Sequence, residues 1–283
     1  MKLVKKTSTL KKQATPAKEE KVSYTLPDKL SIPSTILWDY GIMVHAEKKV
    51  GKTSLCSMIP DCFFMMTQPG AKSFSIFQRP VRTWEAFRAY VKLLEKDTTF
   101  KRVTVDHIDG AYKACTRFMC EKEGWDHPDD GGTYGIGWGK VNEEFEHWVN
   151  RLLGCGKGVV LLTHSVLKDV KTRTGQEYSK IMTTLSGGAW SILEQNVDVW
   201  IHLYYEGDKR MMQILGDEHV GAGHNLDKNF RYTDGTPIRK ISMGKNKQEA
   251  YDNLIKAFEN KLINPGEGKH EVKKKFVIVK KVK

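Results

Sequence analysis

No stretch of the chain approaches the roughly 18 uninterrupted apolar residues that a membrane-spanning helix needs, and the lysine-rich start has no apolar segment behind it. Neither a membrane partner nor a secretory leader is expected. The five cysteines (Cys56, Cys62, Cys115, Cys120, Cys155) are odd in number and contain no CxxC pair, which argues against a disulfide framework and a zinc ribbon. A reducing compartment is the default. No internal repeat is visible. What is present is ordinary for a soluble globular protein: 283 residues, 40% hydrophobic and 28% charged, with enough apolar material for a sizeable core. Global disorder is excluded, and the length fits one α/β domain of the larger kind, with or without decorated ends.

The formal charge of +12 is concentrated at the ends. Residues 1–22 and residues 262–283 each carry seven lysines and two glutamates, leaving only +2 for the middle. Bulk charge therefore does not make the folded part a nucleic-acid binder. Solvated, flexible ends account for such lysine runs, and a weak, salt-sensitive grip on a phosphate backbone is the sharper alternative. The expected organisation is a disordered basic tail over 1–25, one α/β domain over 26–261 and a second basic tail over 262–283. Within the domain, short apolar runs alternate with amphipathic stretches, from ILWDYGIMVH through CFFMM, WEAFRAYVKLLEK, RVTVD, FEHWVNRLLG and GVVLLTH to DVWIHLYY. That is the pattern of a mostly parallel sheet with helices on both faces. The Gly-rich stretch from His127 to Lys140 reads as an ordered loop before a helix, QEAYDNLIKAFENKLI as a late helix, and the terminal FVIV run as an optional edge strand.

The strongest chemical signal is GIMVHAEKKVGKTSL, an apolar strand, a loop and an apolar helix start. Ala46, Glu47, Lys48, Lys49, Val50, Gly51, Lys52 and Thr53 match GxxxxGK[ST] except at the first glycine, with Ser54 following. In such a loop, backbone N–H groups wrap phosphates, the lysine reaches the terminal phosphates and the Thr53 hydroxyl ligates Mg²⁺. ATP and Mg²⁺ are the expected cofactors. A loop of this kind calls for an acid at a neighbouring strand end, and RVTVD supplies Asp106; Asp109, three residues on, reads as a helix cap. The strand GVVLLTHS ends in Thr163 and His164, at the carboxyl edge where ligands collect in parallel sheets; His164 is read as a sensor of the terminal phosphate. LKDVKTRTGQEYSK reads as a basic hairpin beside the nucleotide, with Lys168, Lys171, Arg173 and Lys180 as cations and Tyr178 as a stacking aromatic. For Trp190, base stacking and core packing both stand.

With these residues assembled, the chain resembles the RecA-like phage ATPases of the Sak-type single-strand annealing group. The resemblance runs from about Ile36 to Phe258 and rests on AEKKVGKTS, CFFMMTQPGAKSF, VTVDHIDGAYKAC, HPDDGGTYGIGWGKVNEEF, GVVLLTHS, DVKTRTGQEYSKI and the DVWIHLYY strand. It implies a RecA-like P-loop NTPase core, single-stranded DNA as ligand, annealing or strand pairing as activity, and homo-oligomers in a ring or filament in the host cell cytoplasm. A single-stranded-DNA-binding protein or a replisome component is the further partner implied. It also places the basic hairpin on the DNA and sends Arg231, in HNLDKNFRYTDGTPI, toward a neighbouring subunit's nucleotide. One departure bears on catalysis. The glutamate that polarises the attacking water in RecA-like enzymes is matched by Gln68, and the acid often found just before it by Met66. An amide orients water without accepting its proton, so the expectation is retained ATP binding with weak hydrolysis or none. The reading from a different class is a nucleotide-switched replisome loader that does not itself touch DNA.

Overall fold

The computed structural model describes residues 26–171, 175 and 177–265. Residues 1–25 and 266–283, which hold the terminal lysine runs and the FVIV run, and Arg173 lie outside the described residues. Residues 26–33 belong to a unit of their own and contain neither helix nor strand; the residues from Ser34 onward form a second unit that carries the sheet.

Ten strands are present among the described residues: β1 (Gly41–Ala46), β2 (Cys62–Met66), β3 (Phe77–Pro80), β4 (Arg102–Asp106), β5 (Gly158–Lys171), β6 (Glu177–Thr183), β7 (Val199–Glu206), β8 (Lys209–Gln213), β9 (Gly223–His224) and β10 (Lys240–Ser242). They are interleaved with α1 (Lys52–Cys56), α2 (Trp84–Leu94), α3 (Ile108–Glu123), α4 (Ile136–Leu153), α5 (Gly187–Asn196) and α6 (Lys247–Phe258). The sheet runs β10-β8-β7-β1-β5-β4-β2-β3, with β6 beside β5 and β9 beside β7. From β7 to β3 every neighbour along that path is parallel, while β8 and β10 close one side antiparallel. β1, bearing the phosphate-loop motif, is central between β5 and β7.

Continuous apolar runs are what a strand buried on both faces requires, and successive residues here feed opposite cores. Ile42, Val44, Phe64, Val160 and Leu162 pack on one face with Leu55 and Cys56 of α1 and with Leu254 and Phe258 of α6. Met43, Met65, Val105, Val159 and Leu161 pack on the other with Phe87 and Val91 of α2, Tyr112 of α3, Phe145 and Trp148 of α4 and Ile192 of α5. The expected α/β architecture with helices on both faces is thus what the chain forms. No helix among the described residues is long and apolar enough to cross a membrane.

Two local departures have physical causes. The start of ILWDYGIMVH is a 3₁₀ turn over Leu37–Asp39 rather than strand, and it buries Leu37 and Trp38 under α6. Where a loop is expected through Lys140, α4 already begins at Ile136. A short 3₁₀ turn at Pro128–Gly131, closed by a reciprocal His127–Asp130 cap, packs on α4, and the Trp138 indole N–H donates to Asp129 Oδ1 at 2.8 Å. One glycine is fixed by contact: at Gly158, which opens β5, a Cβ would stand 1.6 Å from the Trp38 carbonyl oxygen.

Candidate functional site

Four parallel strands, β1, β2, β4 and β5, bring their carboxyl ends together, and the polar residues of the sequence motifs sit there. Ala46 is the last residue of β1, in register with His164 and Leu203. It is an extended position, which removes the need for glycine at the first place of the motif. The loop then turns through Lys49 and Gly51, at φ +68° and +122°, and enters α1 at Lys52. The second of these angles suits glycine alone. Val50 is buried in the core and anchors the loop, while Glu47, Lys48 and Lys49 are exposed and Ser54 is half-buried.

Lys52 is 5% exposed. Its Nζ donates to the carbonyl oxygens of Ala46 (2.8 Å) and Glu47 (3.0 Å) and lies 3.3 Å from His164 Nδ1. Burial pulls its pKa down to about 8, against the opposing pull of the Asp106 and Asp109 charges. The Thr53 hydroxyl donates to Asp106 Oδ2 at 2.7 Å. A hydroxyl and a buried carboxylate in contact across the loop are the oxygen donors that Mg²⁺ takes beside a nucleotide, so the residues present fit MgATP.

Around this pair the site is rich in histidine. His107 Nε2 lies 3.2 Å from Asp106 Oδ1, and the His107 ring packs on His164 at 4.2 Å between centroids. Thr67, after β2, locks the same turn: its hydroxyl donates to the His107 carbonyl (2.6 Å) and accepts from the His107 N–H (2.9 Å). Gln68 follows and lines, with Glu47, Lys48, Asp109 and His164, a cleft of about 1110 Å³. Beneath it, fully buried His45 has Nδ1 3.0 Å from Ser165 Oγ and Nε2 2.7 Å from the Gly221 carbonyl, and Ser165 Oγ lies 3.4 Å from His202 Nδ1. Burial holds His45 down to about 3, and His164 and His202 to about 4.

A pH dependence follows. Below the ordinary histidine value near 6.5, the unfolded chain takes up protons that the folded chain refuses. The folded values are depressed, so this contribution to stability is fully present above about pH 6.5 and is lost as pH falls toward 4 and below. The slope reaches about 1.4 kcal/mol per pH unit for fully buried His45 and less for the more exposed rings. Urea titrations at a series of pH values between about 7.5 and 4.5 check it; in His45→Gln the decline is expected to be shallower, and an identical decline would remove His45 as its source.

Asp109 is not the cap expected of it. His107 occupies the N-cap of α3 without a side-chain bond, and Asp109 sits in the first turn with Oδ1 accepting from the Thr184 hydroxyl and Oδ2 buried without a partner. The basic hairpin forms: Ser165–Lys171 pairs antiparallel with Glu177–Thr183. Lys168 faces Lys180 across the ladder, Lys171 pairs with Glu177 at 3.3 Å, and Tyr178 is half-buried, edge-on to His219. Trp190 packs against Trp200 at 4.4 Å and joins the core. Arg231 folds onto its own loop, donating to the carbonyls of Gly235 and Asp227, and does not line the cleft. His107, the His45–Ser165–His202 cluster and Arg210, whose guanidinium borders Gly51, carry no motif signal and were not legible in the sequence.

A family model described as an AAA domain matches residues 39–226 of this chain, a span that includes the phosphate loop, Asp106, the β5–β6 hairpin and β7. A curated relative is the SPbeta prophage-derived uncharacterized protein YorG of Bacillus subtilis (strain 168), 24% identical over 146 residues. The alignment takes in 49% of this chain and 44% of that protein, so the chain spans less than half of the relative's length. The strand–loop–helix around Lys52, the Thr53–Asp106 pair and the parallel sheet that positions them are those of a RecA-like P-loop fold, and with the domain match they identify the chain as a member of the nucleotide-binding AAA domain family.

Proposed function

We propose that this is a phage-encoded, Mg²⁺-dependent ATP-binding protein of the Sak-type group that binds single-stranded DNA and promotes annealing or strand pairing, with slow DNA-stimulated hydrolysis. The observation that carries the proposal is the continuity of β5: one strand runs from His164, against Lys52, directly into the hairpin that presents Lys168 and Lys180 side by side. Like charges directly opposed in a ladder cost stability, and a phosphate backbone lying along the hairpin relieves that cost. Tyr178 lies on the same face of the ladder, and Lys171 on the opposite one. The relative's prophage-derived name supports the phage origin.

In this reading Lys52 balances the terminal phosphates, the amides from Glu47 to Ser54 hold them, and Thr53 with Asp106 holds Mg²⁺. The ion, when bound, offsets charge on the phosphate oxygens. Gln68 orients the attacking water, His164 reports the terminal phosphate to β5, and Arg231 reaches a neighbouring protomer's nucleotide in a homo-oligomer.

The test is the ATPase rate with and without single-stranded DNA. The wild type is expected to bind ATP well and turn over well below about 1 per second, and Gln68→Glu is expected to raise the DNA-stimulated rate, since a general base contributes about 10²–10⁴-fold. A fast wild type, or an unchanged variant rate, would remove Gln68 from the water. Salt-sensitive binding of an oligonucleotide supports the DNA reading; capture of a replisome component without DNA would favour the loader instead.

A further inference from the structure

The nucleotide reading leaves Arg210 unused. It lies on β8, which returns from the carboxyl end of β7 and so passes the phosphate loop on the side away from β5. Its Nη1 stands 3.5 Å from the place a Cβ on Gly51 would take, beside Met243 Cε at 3.6 Å. Its Nη2 donates to the Lys245 carbonyl at 3.2 Å, and its own carbonyl accepts from the Met243 N–H at 2.8 Å.

Several arginines lack a carboxylate partner, and what sets Arg210 apart among them is its place against Gly51 of the phosphate loop. Arg88, Arg102 and Arg151 each face an acid, Glu144, Asp39 and Glu95, whereas no acid pairs with Arg210 among the described ion pairs. A neutral carbonyl steadies one edge of the guanidinium, and the remaining N–H donors stand at the lip of the loop. A planar fork of five donors is suited to phosphate oxygens.

Its position also says which phosphate. Asp106 ends β4, His164 lies within β5 and Gln68 follows β2, all on one side of β1, and they mark the end where the terminal phosphate belongs. Arg210 lies across β1 from them, against Gly51, where the loop amides lead toward the sugar. We propose that Arg210 binds the nucleotide in the same protomer at the phosphate nearest the sugar, and so serves ATP and ADP alike. This rests on the nucleotide reading above.

The experiment is calorimetric titration of the full-length wild type and of R210Q with MgATP and with MgADP, with thermal unfolding in the absence of nucleotide as the control. R210Q keeps a donor for the Lys245 carbonyl and is expected to unfold as the wild type does while losing about tenfold in affinity for both nucleotides. Unchanged affinities, or a loss confined to ATP, would overturn the assignment. If R210Q does not fold, R210K carries the test: it keeps the charge without the fork and is expected to lose ATP and ADP in equal measure. A wild type that binds neither nucleotide overturns the phosphate-loop reading and Arg210 with it; a wild type that binds both beside an unaffected variant overturns Arg210 alone.

Discussion

Lys52→Ala is expected to abolish nucleotide binding: calorimetry with MgATP gives no saturable heat at concentrations that saturate the wild type. The side chain is buried, and its ammonium is held by the carbonyls of Ala46 and Glu47. It is thus fixed inside the loop before any phosphate arrives. Each hydrogen bond to a charged group is worth about 1.5–3 kcal/mol, so losing an ammonium that serves several phosphate oxygens costs on the order of 100-fold or more. A pH signature accompanies it. Because burial brings Lys52 down to about 8, the free protein gives up that proton above pH 8 and must regain it to bind. Wild-type affinity therefore declines on the alkaline side by up to about tenfold per pH unit. Tight MgATP binding by the variant would dismiss the loop as the nucleotide site.

Gly158→Ala is expected to destabilise the fold by about 3 kcal/mol or more. The added methyl group would fall 1.6 Å from the Trp38 carbonyl oxygen and 2.7 Å from its carbon. Those are backbone atoms, so no rotamer change relieves the clash. Trp38 has no room to retreat, being 1% exposed and stacked on Tyr251 at 5.7 Å. Gly158 is tethered as well, its N–H donating to the Lys101 carbonyl at 3.1 Å. Urea unfolding of the variant measures the effect; a midpoint equal to that of the wild type would mean that the strand slides freely at its start.

How much of this was legible in the sequence follows the range of the interactions. Strands β1, β2, β4 and β5 and the loop at Ala46–Thr53 are local signals, an apolar run or a motif of adjacent residues, and the structure has them in place. The onset of α4 was hidden because it depends on the Trp138–Asp129 bond and on a 3₁₀ turn packed against the helix. Strands β8 and β10, on the antiparallel side of the sheet, are short and mixed in polarity, and take their extended form from pairing with β7 and with each other. Within the site, Thr53 and Asp106 were readable because the motif requires an acid nearby. His107 against His164, and Ser165 between His45 and His202, join separate strands that only the assembled sheet brings together. Asp109 was misread because a carboxylate near a helix start has an ordinary local use, and only its contact with Thr184 reveals another.

The length of β5 has a mechanical meaning. Its first half is clamped between β1 and β4, while over Ser165–Lys171 the strand that pairs with it among the described residues is β6, and residues 166–169 are exposed. That is a lever with its fulcrum at His164. At about 3.3 Å per residue the free half reaches roughly 20 Å, so a tilt of about 5° at the root, too small to break a hydrogen bond, carries the tip about 2 Å. The ratio works in reverse as well: a load placed on the tip returns to the residue beside Lys52 as a smaller displacement and a proportionately larger force.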